Sequence, residues 1–296
     1  MKKCVCCGHE SKDEATSCAR CGKREFRTSV AGPDPYLISV FPWYRRAHRK
    51  RLLAEPYPEH WEAILQRNVA HYRLLSDEQR SRLRTDLQVL VTEKNWDGCD
   101  GLKITEQMKV TIAAQAALML LGMEHDYFSH VLSIVVFPTQ FEMLREEWHD
   151  EKRKYLATGQ AAYGAVFVAW DSALAEGRDP SSGHNLVIHE FAHQLDFTDG
   201  LVNGIPVLKS PEQVVRWSEV MERGFNHLRE ELSAERGTFL GQHAGSNATE
   251  FFSAVSERFF TVPGQLRDYD PRVYEVLAEY YGVDPLTWFA APAAKG

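Results

Sequence analysis

The residues of this chain best suited to chemistry lie in the run Gly183-His184-Asn185-Leu186-Val187-Ile188-His189-Glu190-Phe191-Ala192-His193-Gln194-Leu195-Asp196. It holds His-Glu-x-x-His inside an apolar segment of helical period, the pattern of a zinc hydrolase. Four residues advance an α-helix by about 400° and about 6 Å, so His189 and His193 leave one face a turn apart and can converge on one metal. Glu190 stands about 100° round from His189, beside the pair, where it can serve as general base on a water without being a ligand. The bland alternative is a pair of satisfied core histidines next to a surface glutamate. Val187, Ile188, Phe191, Ala192 and Leu195 make the helix apolar on nearly every remaining side, however. An unpaired glutamate is costly to bury there, and metal chemistry supplies a reason for the cost. Asp196 shares the histidine face and is a candidate to orient an imidazole N–H.

A catalytic zinc with two histidines needs a third protein ligand and an open position. The best carboxylates on offer are in Glu250-Phe-Phe-Ser-Ala-Val-Ser-Glu257. Their seven-residue spacing returns to nearly the same helix face, and Ser253 and Ala254 on that face are small enough to admit a neighbouring helix. Glu250 has a second reading, since with Asn247 as N-cap it stands at N3, where glutamate often closes a capping box. Glu257 is then an outer partner of the site.

A second metal is expected at the N-terminus. Cys4-Val-Cys-Cys7-Gly and Cys18-Ala-Arg-Cys21-Gly are two C-x-x-C-G turns. Paired in this way they read as a Cys4 zinc ribbon with Cys4, Cys7, Cys18 and Cys21 as ligands, although Cys6 or His9 could replace one of the first pair. So short a module has no core of its own, and its folding energy must come from the metal. Five of the six cysteines lie in the first 21 residues, with Cys99 alone later, which suits metal binding rather than a disulfide framework.

Length and composition bound the rest. The 296 residues can bury a substantial core, and 44% hydrophobic and 25% charged residues are globular proportions. A net charge of −7 leaves no overall basic footprint and argues against direct nucleic-acid binding. No apolar signal-like core follows Met1-Lys2-Lys3, and the apolar run from Val110 to Met123 is short for a membrane span, so a cytoplasmic protein without membrane association is expected.

The elements that must position these residues follow in order. Residues 1–27 are the ribbon, and the Gly/Pro-containing stretch 28–36 is a linker to a domain over 37–296. The basic, aromatic run from Phe41 to Leu53 reads as a solvated helix face beside a core anchor. From Pro58 to Gly122 the pattern is helical, with one start at Ser76 and another at Thr105 that leads into a buried helix closed by Gly122. Gln115 inside that helix needs a partner, and a structural hydrogen bond is the expectation. Val131 to Phe137 and Gly164 to Trp170 read as strands. The second lies shortly before the metal helix and is either an interior strand or an edge strand able to pair with an extended substrate. Ser210-Pro211 opens a long helix, to about Arg236.

Lys109-Val-Thr-Ile-Ala-Ala-Gln-Ala116, Trp170-Asp171, Arg178-Asp179-Pro-Ser-Ser-Gly-His-Asn185, His189-Glu-Phe-Ala-His-Gln-Leu-Asp196 and Glu250 to Phe260 resemble, in this order, the Mlc titration factor A family of zinc peptidases, over roughly residues 36 to 290. The resemblance implies a gluzincin-type site with His189, His193 and Glu250 as zinc ligands and Glu190 as catalytic base. It also implies aminopeptidase-like activity on short peptides and a transcription regulator as partner, since the enterobacterial member binds the glucose repressor Mlc. The chain departs from the familiar form in its cysteine module and in carrying His243 where that form has a tyrosine seven residues before the third ligand.

The fold class expected is α+β: a mainly helical, zincin-like metallopeptidase domain with a small mixed β-sheet, preceded by the ribbon. The function expected is zinc-dependent peptide hydrolysis, with one catalytic and one structural Zn2+, Glu190 as base, and His243, Tyr163 or His184 as donor to the oxyanion. The alternative is a regulatory zinc scaffold that titrates a transcription regulator. The presence of Glu190 argues against that alternative, because a scaffold needs ligands and no base.

Overall fold

The computed structural model describes residues 2–3, 10–11, 16, 42–146, 152–157, 159–162, 164–235 and 237–289. At the N-terminal end β1 (Lys2–Lys3) pairs antiparallel with β2 (Glu10–Ser11). Cys4, Cys7, Cys18 and Cys21 lie outside the described residues, as does the expected linker at 28–36.

Helix α1 (Pro42–Leu52) carries the basic run, and its charges serve the fold. Arg49 is buried against Glu93 through two parallel N–H···O bonds of 2.8 Å, and Arg45 reaches Asp126 at 2.6 Å. Then come α2 (Trp61–Asn68) and α3 (Asp77–Glu93). Ser76 closes a capping box with Gln79 at the start of α3, satisfying amide groups that the first turn leaves without helical partners. The Thr105 side chain likewise accepts from Met108 N ahead of α4 (Glu106–Leu118). This helix is buried on every side from Val110 onward, which explains its lack of a polar face.

Between those helices the structure departs from the all-helical reading of 58–122. Asn95–Gly98 is a strand, β3, parallel to β4 (Ser133–Phe137) with Trp96 opposite Ile134. Its four residues are too few and too polar to show a strand period, and its conformation is set by its neighbour in the sheet. After β4 come the paired strands β5 (Phe141–Glu146) and β6 (Lys152–Ala157), then β7 (Gly159–Ala162) and β8 (Ala165–Ala169). The main sheet has the order β3-β4-β8-β7, parallel except for β7. Among the described residues β8 is therefore interior, and the edge strand packed beside the helix that carries His189 and His193 is β7.

Helices α5 (Trp170–Arg178), α6 (Leu186–Asp196), α7 (Pro211–Ser233) and α8 (Ala248–Thr261) follow, then α9 (Pro263–Tyr269), α10 (Pro271–Tyr281) and α11 (Leu286–Phe289). The core runs between the helices and one face of the sheet, and α6 lies within it, packed on α8, α4, β7 and β8. The architecture is α+β, mainly helical with a small mixed sheet. No described helix is long and apolar enough to cross a membrane.

Candidate metal centre

Helix α6 starts where its chemistry says it should. Asn185 is the N-cap, its side-chain oxygen accepting from Ile188 N at 3.0 Å, and it is fully buried. Two carboxylates take further amides at this end: Glu257 accepts from Asn185 N and Glu176 from Leu186 N, each at 2.5 Å. Negative charge at a helix N-terminus is favoured by the aligned peptide dipoles, so these contacts fix α6 axially as well as by packing.

One turn in, His189 and His193 face α8, their ring centroids 5.0 Å apart. Opposite them stands Glu250, whose Oε2 is 3.2 Å from His189 Nε2 and 3.6 Å from His193 Nε2. The ligating atoms of these three residues lie within 4.8 Å of one another. The capping alternative for Glu250 divides between its two ends: its backbone N–H is held by Asn247 Oδ1 at 3.0 Å, while its carboxylate turns to the histidines. Two imidazoles and one carboxylate are the donor set of a catalytic zinc.

The electrostatics ask for a cation at this point. Burial opposes charge on His189, yet the carboxylates of Glu250 and Glu257 hold its pKa up at about 10. Burial would raise Glu250, but hydrogen bonds from His189, His193 and His243 hold it well below the usual carboxylate range. A divalent ion among the three would answer the same field without needing a proton on His189. The residues present fit a zinc ion.

Glu257 addresses the far side of His189. Its Oε2 is 3.7 Å from His189 Nδ1, and its Oε1, besides taking Asn185 N, is 3.5 Å from His184 Nδ1. These contacts hold its pKa down at about 2 against the effect of burial. Such a carboxylate behind a ligating imidazole fixes the ring and raises its basicity.

Glu190 is 4% exposed and borders the cleft beside the histidine pair, outside the three-residue donor set. Burial pushes its carboxyl up to about 8, with the charge of His189 pulling the other way. A nearby cation would bring that value down towards the range in which a carboxylate works as a base at neutral pH.

The cleft encloses ≈ 750 Å³. β7 forms one wall through Gly159, Gln160 and Ala161, and the segment holding Phe197, Val202 and Asn203 forms another. Asp196 builds that second wall. Its Oδ1 accepts from Gly204 N at 2.8 Å and Asn203 N at 3.4 Å, and Trp217 Nε1 donates to Gly204 O at 3.0 Å. Asp196 thus fastens the loop after α6 through Oδ1, and against the burial that lowers the His193 pKa its charge pulls upward; its Oδ2 and Nδ1 of His193 are both buried with no hydrogen-bond partner among the described residues.

His243 lies at the rim in a short 3-10 turn, its side chain 77% exposed and its Nε2 3.1 Å from Glu250 Oε2. That carboxylate raises its pKa. His184, on Glu257, is not among the cleft-lining residues, and Tyr163 lies outside the described residues. Gly159, Gln160 and Ala161 of β7 line the cleft without any signal in the sequence. A four-residue strand without β-branched residues gives no periodic signal, and only the sheet order reveals it as an edge.

The "Uncharacterized protein slr2042" of Synechocystis sp. is 30% identical over 252 residues, spanning 83% of this chain and 92% of its own. The Mlc titration factor A of Edwardsiella ictaluri is 30% identical over 223 residues, 72% of this chain and 83% of its own. That of Yersinia pestis is 26% identical over 256 residues, 83% and 92% respectively. Residues 43–282 match the family described as Glucose-regulated metallo-peptidase M90, and the chain belongs to that family.

Proposed function

We propose that this chain is a zinc-dependent peptidase, aminopeptidase-like in its preference for short peptides, with His189, His193 and Glu250 as zinc ligands and Glu190 as general base. The observation that carries the proposal is the buried carboxylate of Glu190 on the cleft wall, next to the donor set and not part of it. A site that only stored or scaffolded a metal would gain nothing from burying it. When bound, zinc supplies a Lewis acid that polarises a carbonyl and lowers the pKa of a water towards about 7.

The chain's own residues do the rest. The outer edge of β7, unpaired among the described residues, offers main-chain donors and acceptors to an extended peptide laid antiparallel or parallel along it. Glu190 takes the proton of the attacking water and returns it to the leaving amine. His243, raised in pKa and exposed to the cleft, donates to the oxyanion in place of a tyrosine. Glu257 keeps the His189 ring in register. A second, structural zinc is assigned to Cys4, Cys7, Cys18 and Cys21.

A partner is proposed on other grounds. Relatives carry the name Mlc titration factor A, and by that likeness this chain also engages a transcription regulator.

The test is Glu190→Gln, which keeps shape and zinc but cannot accept a proton. Hydrolysis of an aminoacyl-amide panel should fall by about 10² to 10⁴, the usual size of the general-base contribution. A Gln variant that turns over at the parental rate with a full complement of zinc rejects the mechanism. Normal regulator binding by the same variant would mean that the partner role is separable from catalysis.

A further inference from the structure

The first residue of β7 touches Glu190. A Cβ placed on Gly159 would stand 2.3 Å from Glu190 Oε1, 2.8 Å from Glu190 Cδ and 2.4 Å from Leu186 Cδ1. Gly159 is not among the glycines with positive φ, so its backbone conformation is one that any residue adopts. What calls for glycine here is space. Carbon and oxygen atoms rest more than 3 Å apart, so a methyl group at this position would drive the carboxylate back by roughly 1 Å.

Both obstructing groups are the ends of flexible side chains, and they can yield without moving the backbone of either element. The cost in stability is therefore small. The cost to Glu190 is not, because its carboxylate is buried at the cleft wall and stands where it does partly because the strand beside it carries no side chain. Proton transfer requires heavy atoms about 2.6 to 3.2 Å apart, and a misplacement of about 1 Å can cost a hundredfold in rate.

We propose that Gly159 is a positioning residue for the general base: the bare backbone of the edge strand sets where the Glu190 carboxylate stands relative to the His189, His193 and Glu250 centre. The same contact has a consequence for substrate, since it brings the strand edge that would hold a peptide and the base that would act on it within van der Waals distance. This inference rests on the peptidase reading, and its test has one arm that does not.

The experiment is Gly159→Ala in the full chain, alone and combined with Glu190→Asp, whose shorter side chain withdraws from the added methyl group. Gly159→Ala should hold zinc at the parental ratio and melt near the parental temperature, with kcat lowered about 10²-fold and KM little changed. Glu190→Asp should be slow by itself, and adding Gly159→Ala to it should cost little more. Losses that multiply in the double variant, or a parental kcat in Gly159→Ala, overturn the proposal. A crystal structure of Gly159→Ala is the arm independent of turnover: a carboxylate displaced by about 1 Å supports the proposal and an unmoved one rejects it, even if the parent protein proves inert on every amide and the peptidase reading falls. If Gly159→Ala does not fold, the comparison is with Gly159→Ala carrying Leu186→Ala and with Gly159→Ala carrying both Leu186→Ala and Glu190→Ala: folding restored only in the second supports the carboxylate contact, and folding restored in the first, or in neither, rejects the proposal.

Discussion

Asn185 Nδ2 donates to Gln115 Oε1 at 2.8 Å, so the N-cap of α6 is tied to the buried helix α4. The other end of the Gln115 amide gives two more bonds, to the carbonyls of Thr111 and Ala173, each at 3.0 Å. Both N–H donors and the carbonyl oxygen of one buried side chain are thus spent on holding α4, α5 and α6 together. A fully satisfied polar group of this kind specifies a single packing arrangement, where an apolar residue would allow several.

Gln115→Leu should accordingly destabilise the protein by about 1 to 3 kcal/mol, the usual cost of leaving buried partners such as Asn185 Nδ2 unsatisfied. Zinc should remain bound at the parental ratio, because no member of the donor set is touched. Urea unfolding of the two proteins, with metal content measured alongside, decides the matter. Equal midpoints and slopes would mean that the bond to Asn185 is not what seats the helix.

The division of labour between Glu250 and Glu257 gives a second prediction. Glu250→Gln leaves the Asn247 cap intact, since that bond uses the backbone N–H of residue 250, so any loss of zinc reports on the carboxylate alone. Zinc affinity should collapse in Glu250→Gln. In Glu257→Gln, which weakens the support behind His189 and at the Asn185 N-cap without touching the donor set, it should fall about 10- to 100-fold. Competition with a chelator of known affinity measures both. A weaker effect at Glu250 than at Glu257 would exchange their roles.

The two carboxylates also mark how far the sequence can be read. His189, Glu190 and His193 come together through the geometry of a single helix, which is local and follows from spacing alone. The choice between Glu250 and Glu257 is not local. Both occupy one face of α8, and only the way α8 crosses α6 sends one to the Nε2 atoms of the histidines and the other to Nδ1 of His189. Asp196 shows the same limit from the other side: it shares the histidine face, but the backbone of residues 203 and 204 takes its Oδ1, and its Oδ2 is buried with no hydrogen-bond partner among the described residues. The helices with strong caps at Ser76, Thr105 and Ser210 were legible from those residues. β3 and β7 were not, because four polar or small residues become a strand only when a neighbouring strand supplies the hydrogen bonds.

A last prediction concerns pH and lies away from the metal. His71 is fully buried, its Nε2 2.9 Å from Phe260 O and its ring against Trp288 and Phe289. Burial pushes its pKa down to about 4, with the carbonyl of Phe260 pulling weakly the other way. The unfolded chain therefore takes up this proton near pH 6.5, while the folded protein resists until about 4. Stability from this residue is complete above about pH 6.5, falls as the pH drops towards 4, and does not fall further below that. The total is on the order of 3 kcal/mol, from roughly 1.4 kcal/mol for each pH unit between the two values. His71→Gln cannot titrate and retains an N–H donor. Acid also strips metal from the histidine centre, but it does so in parent and variant alike, so the difference between their unfolding free energies isolates His71. That difference should shrink steadily from pH 6.5 to 4; a constant difference across the range would show that His71 is not held neutral by the fold.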